Sequence, residues 1–255
     1  MFSGIITSLA VIDEVIKQSS SLTLHCTWKK PLIGVEEGES LSLNGICLTV
    51  TKVMSFQPEA LGMTPVIPAS DESTSGNLDS AATFFEVDVS IETLEKTTAK
   101  NWKNGDLLNV ERALKYSDVV GGHLVSGHID GVGKVSEISV IPANPSVIPA
   151  QAGIQSQFTK MTLSLPKAFM KHIVSKGSLA VDGVSLTINK VLEKEVELMF
   201  VPFTLQNTNL GTKQKGDLVN VELDMIGKYV AKHLEDIAIV QSLRGVEDDA
   251  AIPSR

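Results

Sequence analysis

The chain is written twice. LNGICLTV at 43 to 50 returns as VDGVSLTI at 181 to 188, and the motifs around it return in the same order. FSGIITSLAVIDEV (2 to 15) aligns with VSGHIDGVGKVSEI (125 to 138), an offset of 123. SLSLNGICLTVTKV (40 to 53) aligns with SLAVDGVSLTINKV (178 to 191), an offset of 138. TLEKTTAKNWKNGDLLNVE (93 to 111) aligns with TLQNTNLGTKQKGDLVNVE (204 to 222), an offset of 111. Matched blocks in one order require two copies of one domain, so whatever fold one half adopts, the other adopts too.

The drift in offset locates two insertions. The second copy gains about fifteen residues near VIPANPSVIPAQAGIQSQ (140 to 157), and the first gains 27 near residues 57–83. Both stretches are rich in Pro, Gly, Ala and Ser and lack periodicity, which predicts exposed loops carrying no site. Elsewhere each copy shows short alternating runs broken by Gly, Asn and Asp turns, the pattern of a small antiparallel barrel. After Asp224 the period changes. Ile226, Val230, Leu234 and Ile237 fall at helical spacing, with Asp224 as N-cap. That helix has no counterpart after the first copy; spacing alone leaves it either packed on its own subunit or serving association. The organisation expected is a barrel over 1–114, a second over 123–223, a helix over 224–238 and a tail over 239–255.

Asn44-Gly45 and Asp182-Gly183 predict two-residue hairpins, since a type I′ turn needs positive φ at both central positions. The register then follows, with Ser40 facing Thr49 and Ser42 facing Cys47. Leu41, Leu43, Ile46, Leu48 and Val50 share one face, and Ser40, Ser42, Cys47 and Thr49 share the other. In the second copy Leu179, Val181, Val184, Leu186 and Ile188 oppose Ser178, Ala180, Ser185 and Thr187. The polar faces are small, uncharged and rich in hydroxyls, where a merely solvated strand would show Lys and Glu. They suit a ligand or a partner subunit. Cys47 becomes Ser185, so a soft nucleophile is present in one version only; a small buried hydrophobe is the competing reading of that cysteine.

GGHLVSGHIDGVG (121 to 133) opens the second copy. As a strand it would place His123 and His128 on opposite faces, with no cysteine nearby to complete a zinc set, and its glycines do not follow a dinucleotide-loop pattern. His128 aligns with Ile5, so a group suited to proton transfer near neutral pH again appears in one copy only. A structural histidine is the alternative. Thr93 and Thr204, followed by Thr97 and Thr208, stand before paired NGD and KGD turns, where hydroxyls cap backbone or contact ligand. A net charge of −8 and 5% aromatic residues disfavour a nucleic-acid surface. With two cysteines, and an N-terminal segment that meets Asp13 and Glu14 too early for an apolar span, a cytoplasmic protein with reduced thiols and no membrane segment is expected.

Together MFSGII, GESLSLNGICLTVT, ETLEKT, GDLLNVERAL, GGHLVSGHIDGVG, KGSLAVDGVSLTIN, PFTLQNTNLG and KGDLVNVELD resemble riboflavin synthases of the α-subunit type. The resemblance implies an all-β tandem repeat of two six-stranded antiparallel Greek-key barrels, with a C-terminal α-helix assembling a homotrimer. It implies a transferase reaction in which two molecules of 6,7-dimethyl-8-ribityllumazine exchange a four-carbon unit, giving riboflavin and 5-amino-6-ribitylaminouracil. One molecule is donor and the other acceptor, so no metal or redox cofactor is implied. Each active site is implied to lie between the first barrel of one subunit and the second barrel of a neighbour, and association with lumazine synthase is left open. Phe2, Ser40, Cys47 and Thr49 match the first pocket; His128, Lys176, Ser185 and Thr187 match the second; Thr93 and Thr204 match ligand-binding turns. His128 corresponds to a proton-transfer residue, and Cys47 and Ser40 to groups that assist or supply a nucleophile. Phe203 departs from the pattern, standing inside PFTL where a polar residue is common. Lumazine proteins, which bind one chromophore without turnover, resemble the same tandem barrel and are the alternative.

Overall fold

The computed structural model describes residues 1–30, 32, 34–55, 82–141 and 158–248. The first barrel is built from β1 (Ser8–Lys17), β2 (Ser21–Trp28), β3 (Ser40–Leu43), β4 (Ile46–Ser55), β5 (Ala82–Ser90) and β6 (Leu107–Arg112). The second uses β7 (Gly131–Ile141), β8 (Phe158–Ser164), β9 (Ser178–Val181), β10 (Val184–Val191), β11 (Glu195–Phe200) and β12 (Leu218–Leu223). Each closes as an antiparallel barrel in the order β1-β2-β5-β4-β3-β6, with β7-β8-β11-β10-β9-β12 as its repeat, so no edge is left open. Even the irregularities repeat. The register slips at Ile12/Glu14 and at Val135/Glu137, and again at Val50/Lys52 and Ile188/Lys190. Bulges at matching places bend both sheets the same way.

Both hairpins adopt the predicted turn. Asn44 and Gly45 have φ of 46° and 82°, and Asp182 and Gly183 have 45° and 80°. Ser40 pairs with Thr49 and Ser42 with Cys47; Ser178 pairs with Thr187 and Ala180 with Ser185. The apolar faces fill one core per barrel, around Leu41, Leu48 and Phe85 in the first and Leu179, Leu186 and Phe200 in the second. Most of each insertion lies outside the described residues. Its edges do not: Ala82 and Thr83 belong to β5, and Val140 and Ile141 to β7. There the alternating pattern runs on past the point where the repeat alignment breaks.

The GGHLVSGH segment forms no continuous strand. It meets the N-terminal segment in a single bridge, Phe2 to Val125, with Phe2 N donating to Val125 O (2.7 Å) and Val125 N to Phe2 O (3.0 Å). These residues are equivalents, so the two copies pair with each other at the pseudo-dyad between the barrels. From there each segment crosses over. Ile6 packs on the core of the second barrel and Ile129 on that of the first. Two buried carboxylates fix the crossing: Glu111 accepts from Ser3 N, Ser3 Oγ and Gly4 N, and Glu222 from Ser126 N, Ser126 Oγ and Gly127 N.

A buried amide network closes the junction between the hairpin turns. Asn109 Nδ2 donates to Asp182 O (2.8 Å) and Asn209 Oδ1 (2.9 Å), and Asn109 Oδ1 accepts from Asn209 N (2.7 Å). Its equivalent Asn220 accepts from Thr98 N and donates to Asn44 O. Lys213 lies 2.8 Å from Asp182, whose side chain is 1% exposed. A cation there offsets the cost of taking that carboxylate out of water.

The terminal helix runs from Met225 to Asp248, past the end expected at residue 238. Asp224 Oδ1 accepts from Ile226 N as an N-cap. The helix touches its own barrel near Lys171, which bonds Glu235, while Ile226, Tyr229, Val230, Leu234 and Ile237 are exposed. Among the described residues no helix is long and apolar enough to span a membrane.

Candidate functional site

Cys47 sits on the outer, polar face of the β3–β4 hairpin, half-buried, with Ser40 and Thr49 on the same face. The hairpin alone would leave that face open to solvent. It is partly roofed by the crossing segment, where Gly127 O accepts from Cys47 N at 2.9 Å. A side chain at Gly127 would collide with the Cys47 Cβ at 2.5 Å, and φ there is +84°, so only glycine allows this approach. The result is a cavity of about 240 Å³ lined by Ile46, Cys47, Thr93, Lys96, His128 and Ile129, with Glu92 at its mouth.

Thr93 reaches the cavity from α1 (Ile91–Lys96), which is capped by Ser90: Ser90 Oγ accepts from Thr93 N and lies 3.0 Å from Thr93 Oγ1. Thr97 Oγ1 donates to Thr93 O and accepts from Ala99 N, so this hydroxyl is occupied by local backbone. Glu92 and Lys96 form an i,i+4 pair at 2.8 Å. The hydrogen bond from Lys96, and then its charge, hold the Glu92 carboxyl below its ordinary range. An exposed pair of this kind contributes little to stability. It does place two opposite charges at the mouth.

The second barrel repeats this scaffold around other side chains. Ser185 N donates to Gly4 O at 2.8 Å, and Thr208 Oγ1 donates to Thr204 O at 2.7 Å on α2 (Pro202–Asn207). Ile5 takes the place of His128 and Phe203 that of Glu92. Asn207 stands where Lys96 does, its amide donating to Phe203 O. Thr187 is exposed on the strand face beside Ser185.

The crossing regroups the expected site residues. His128 was assigned with Ser185 and Thr187, but within one chain it lies on the rim of the Cys47 and Thr93 cavity. The physical reason is the exchange of opening segments at the pseudo-dyad, which no local pattern reveals. Phe2 is fully buried and packs behind Cys47 with Val125 and Ala180, so it supports the cradle and does not face it. Lys176 lies exposed in the turn before β9 with φ +67°, where the first copy has Gly38 at +87°. Its N donates to Ile188 O, as Gly38 N does to Val50 O.

Sequence reasoning missed His123. Its Nδ1 lies 2.7 Å from Ser185 Oγ, and its N donates to Ser3 O. Burial favours the neutral imidazole and holds its pKa below the usual value, and the charge of Asp224 opposes this only in part. Reading it needs the segment to pass over the second hairpin; GGH next to the aligned block was the only trace. Among the described residues no three His, Cys, Asp or Glu side chains gather where a metal ion would be held.

Comparison with known proteins agrees with this architecture. The lumazine binding domain model matches residues 3–113 and again 126–224. The chain is 32% identical over 234 residues to the riboflavin synthase of Actinobacillus pleuropneumoniae, covering 92% of this chain and 90% of that one. It is 32% identical over 232 residues to that of Brucella abortus, covering 91% and 97%, and 32% over 234 residues to that of Bacillus subtilis, covering 92% and 90%. Among solved structures, LumP complexed with riboflavin shares the fold at a TM-score of 0.67 and 22% identity, over 88% of this chain and 99% of that one. LumP complexed with 6,7-dimethyl-8-(1′-D-ribityl) lumazine follows at 0.65 and 22%, with the same coverage. With both barrels matched and the riboflavin synthases aligned along nearly their whole length, the chain belongs to the riboflavin synthase family of tandem lumazine-binding domains.

Proposed function

We propose that the chain is a riboflavin synthase, converting two molecules of 6,7-dimethyl-8-ribityllumazine into riboflavin and 5-amino-6-ribitylaminouracil. The observation that carries this reading is the pair of cradles with one backbone and unequal chemistry, Cys47 and His128 in one, Ser185 and Ile5 in the other. A dismutation needs two copies of one flat heterocycle held together, which calls for related pockets. The copies do different jobs, which calls for different side chains. The products together contain the atoms of the two substrates, so the exchange needs no external oxidant or reductant.

His128 is suited to remove a proton from the acidic C7 methyl of one molecule, because a free imidazole nitrogen is a proton acceptor of the right reach on the cavity rim. Cys47 and Ser40 stand on the hairpin face beside it, where a thiol or hydroxyl can supply or assist a nucleophile. Thr49, Thr93, Thr187, Thr204, Ser185 and Lys176 supply hydroxyls and a cation for the ribityl chain and ring edges. Much of the rate then comes from fixing two reactants in one geometry.

The first cavity, at about 240 Å³, falls below the range of about 300–1,000 Å³ usual for small-molecule sites. A half-site completed by the second barrel of a neighbouring subunit accounts for that. The exposed apolar stripe of α3 (Met225–Asp248) is the surface for the homotrimer that would bring the halves together.

The test is to mix purified protein with the lumazine alone and follow absorbance and yellow-green fluorescence. Two molecules consumed per riboflavin formed is the expected ratio. A stable complex without product would point to a chromophore-binding protein instead.

A further inference from the structure

We infer that Phe203 is the aromatic wall of the second cradle, packing its ring on the planar heterocycle held there. This rests on the reading above. The starting point is equivalence. In the first barrel, position 92 is the second residue of α1 and lines the mouth of the Cys47 cavity. Phe203 is the second residue of α2, and the two short helices share their frame. Thr97 and Thr208 end them in extended conformation, at φ −127° and −136°, and each returns a hydroxyl bond to the threonine four residues back. Leu94 and Leu205, two residues on from positions 92 and 203, pack on their own cores. The opening segments meet the hairpins through the same bond, Gly127 O to Cys47 N and Gly4 O to Ser185 N. Position 203 therefore stands over Ser185 as position 92 stands over Cys47.

What occupies the position has changed character. Glu92 is tied to Lys96. Phe203 is 72% exposed, and the residue four positions on is the neutral Asn207, whose amide donates to the Phe203 carbonyl. Ile5, in the place of His128, is also exposed. An aromatic ring left in water, at a position whose twin lines a cavity, gains most from a flat partner. The second molecule of the lumazine is such a partner. The first cradle carries ionisable groups at positions 92, 96 and 128; the equivalent positions of the second, Phe203, Asn207 and Ile5, carry none, which leaves a ring face to grip.

The experiment is a titration of wild type, Phe203→Ala and Phe203→Trp with the lumazine, read by ligand fluorescence and calorimetry alongside steady-state rates. Wild type takes up two equivalents per chain. Phe203→Ala weakens one of them about tenfold, leaves the other unchanged and raises KM more than it lowers kcat, while Phe203→Trp restores the affinity. The side chain is exposed, so far-UV spectra and the unfolding midpoint stay as in wild type. If Phe203→Ala keeps both affinities, the inference is wrong. It is equally wrong if that variant disperses the oligomer with both affinities intact, since the ring would then belong to a subunit contact. Wild type that binds two equivalents without turnover removes the synthase reading and leaves the wall in place; wild type that binds none removes both.

Discussion

The two barrels hold their hairpins, bulges and crossing segments in matching hydrogen bonds, yet the side chains that face outward over those hairpins differ in kind. Cys47 N meets Gly127 O at 2.9 Å and Ser185 N meets Gly4 O at 2.8 Å. Around the first bond are a thiol, an imidazole and an ion pair; the equivalent positions of the second copy hold a hydroxyl, an isoleucine and a phenyl ring, with the His123 imidazole against that hydroxyl. Folding is satisfied by the backbone and the inward faces, which are apolar in both copies. The outward faces are therefore free to diverge without cost to the barrel. A duplicated scaffold separates what must be kept from what can be varied.

The strongest way to break this comparison is to erase it. Replacing Cys47 by Ser and His128 by Ile gives the first cradle residues that the second already carries on equivalent backbone. The double variant is expected to keep its unfolding midpoint and to lose turnover by at least about a hundredfold, the low end of what a positioned acid–base group contributes. Riboflavin formation and a denaturant melt measure the two halves of that statement. Turnover retained within a few-fold would show that the asymmetry has no chemical role.

A smaller effect sharpens the junction. Asn109 makes three side-chain bonds there and Asn220 two, both fully buried. Each truncation leaves buried partners unpaired, at about 1 kcal/mol or more per bond. Asn109→Ala is expected to cost about 3 kcal/mol and Asn220→Ala about 2, read from urea midpoints at constant slope. Equal costs would mean that the junction is as symmetric in energy as it is in sequence.

Which of these features could be read from the sequence follows from how local their causes are. The hairpins were legible because Asn44-Gly45 and Asp182-Gly183 select their turn through φ alone, and the alternation of Leu and Ser then fixes which face is buried. The helix after Asp224 was legible from its spacing, although its end was not, since nothing in residues 239–248 announces a stop. The crossing of the opening segments was hidden. Phe2 and Val125 find each other across 123 positions through two backbone bonds that any residue type can make. The grouping of His128 with Cys47, and of His123 with Ser185, depends on that crossing and was hidden with it. A trace did exist in the glutamates of GDLLNVE and GDLVNVE. A carboxylate retained at the end of a buried strand in both copies needs donors, and SG follows the first residue of each opening block.

Those glutamates give the last and smallest test. Glu111 accepts from Ser3 N and Ser3 Oγ at 2.7 Å and from Gly4 N at 2.9 Å. Burial raises its pKa above the ordinary 4.5, and the bonds from Ser3 and Gly4 oppose that rise without cancelling it. The folded state thus favours the protonated acid. A raised value means that the contribution to stability is complete below the unfolded pKa and is lost as pH rises through the folded one. Wild type should therefore shed a little stability above about pH 4, in the window where this carboxyl ionises late. Glu111→Gln cannot titrate, so it should lower the midpoint at every pH, because one acceptor becomes a donor facing Gly4 N, while flattening this part of the slope. Urea midpoints taken across that window for both proteins decide it. Parallel curves would mean that the three donors outweigh burial, and that the clamp on the first crossing segment is held as a carboxylate throughout.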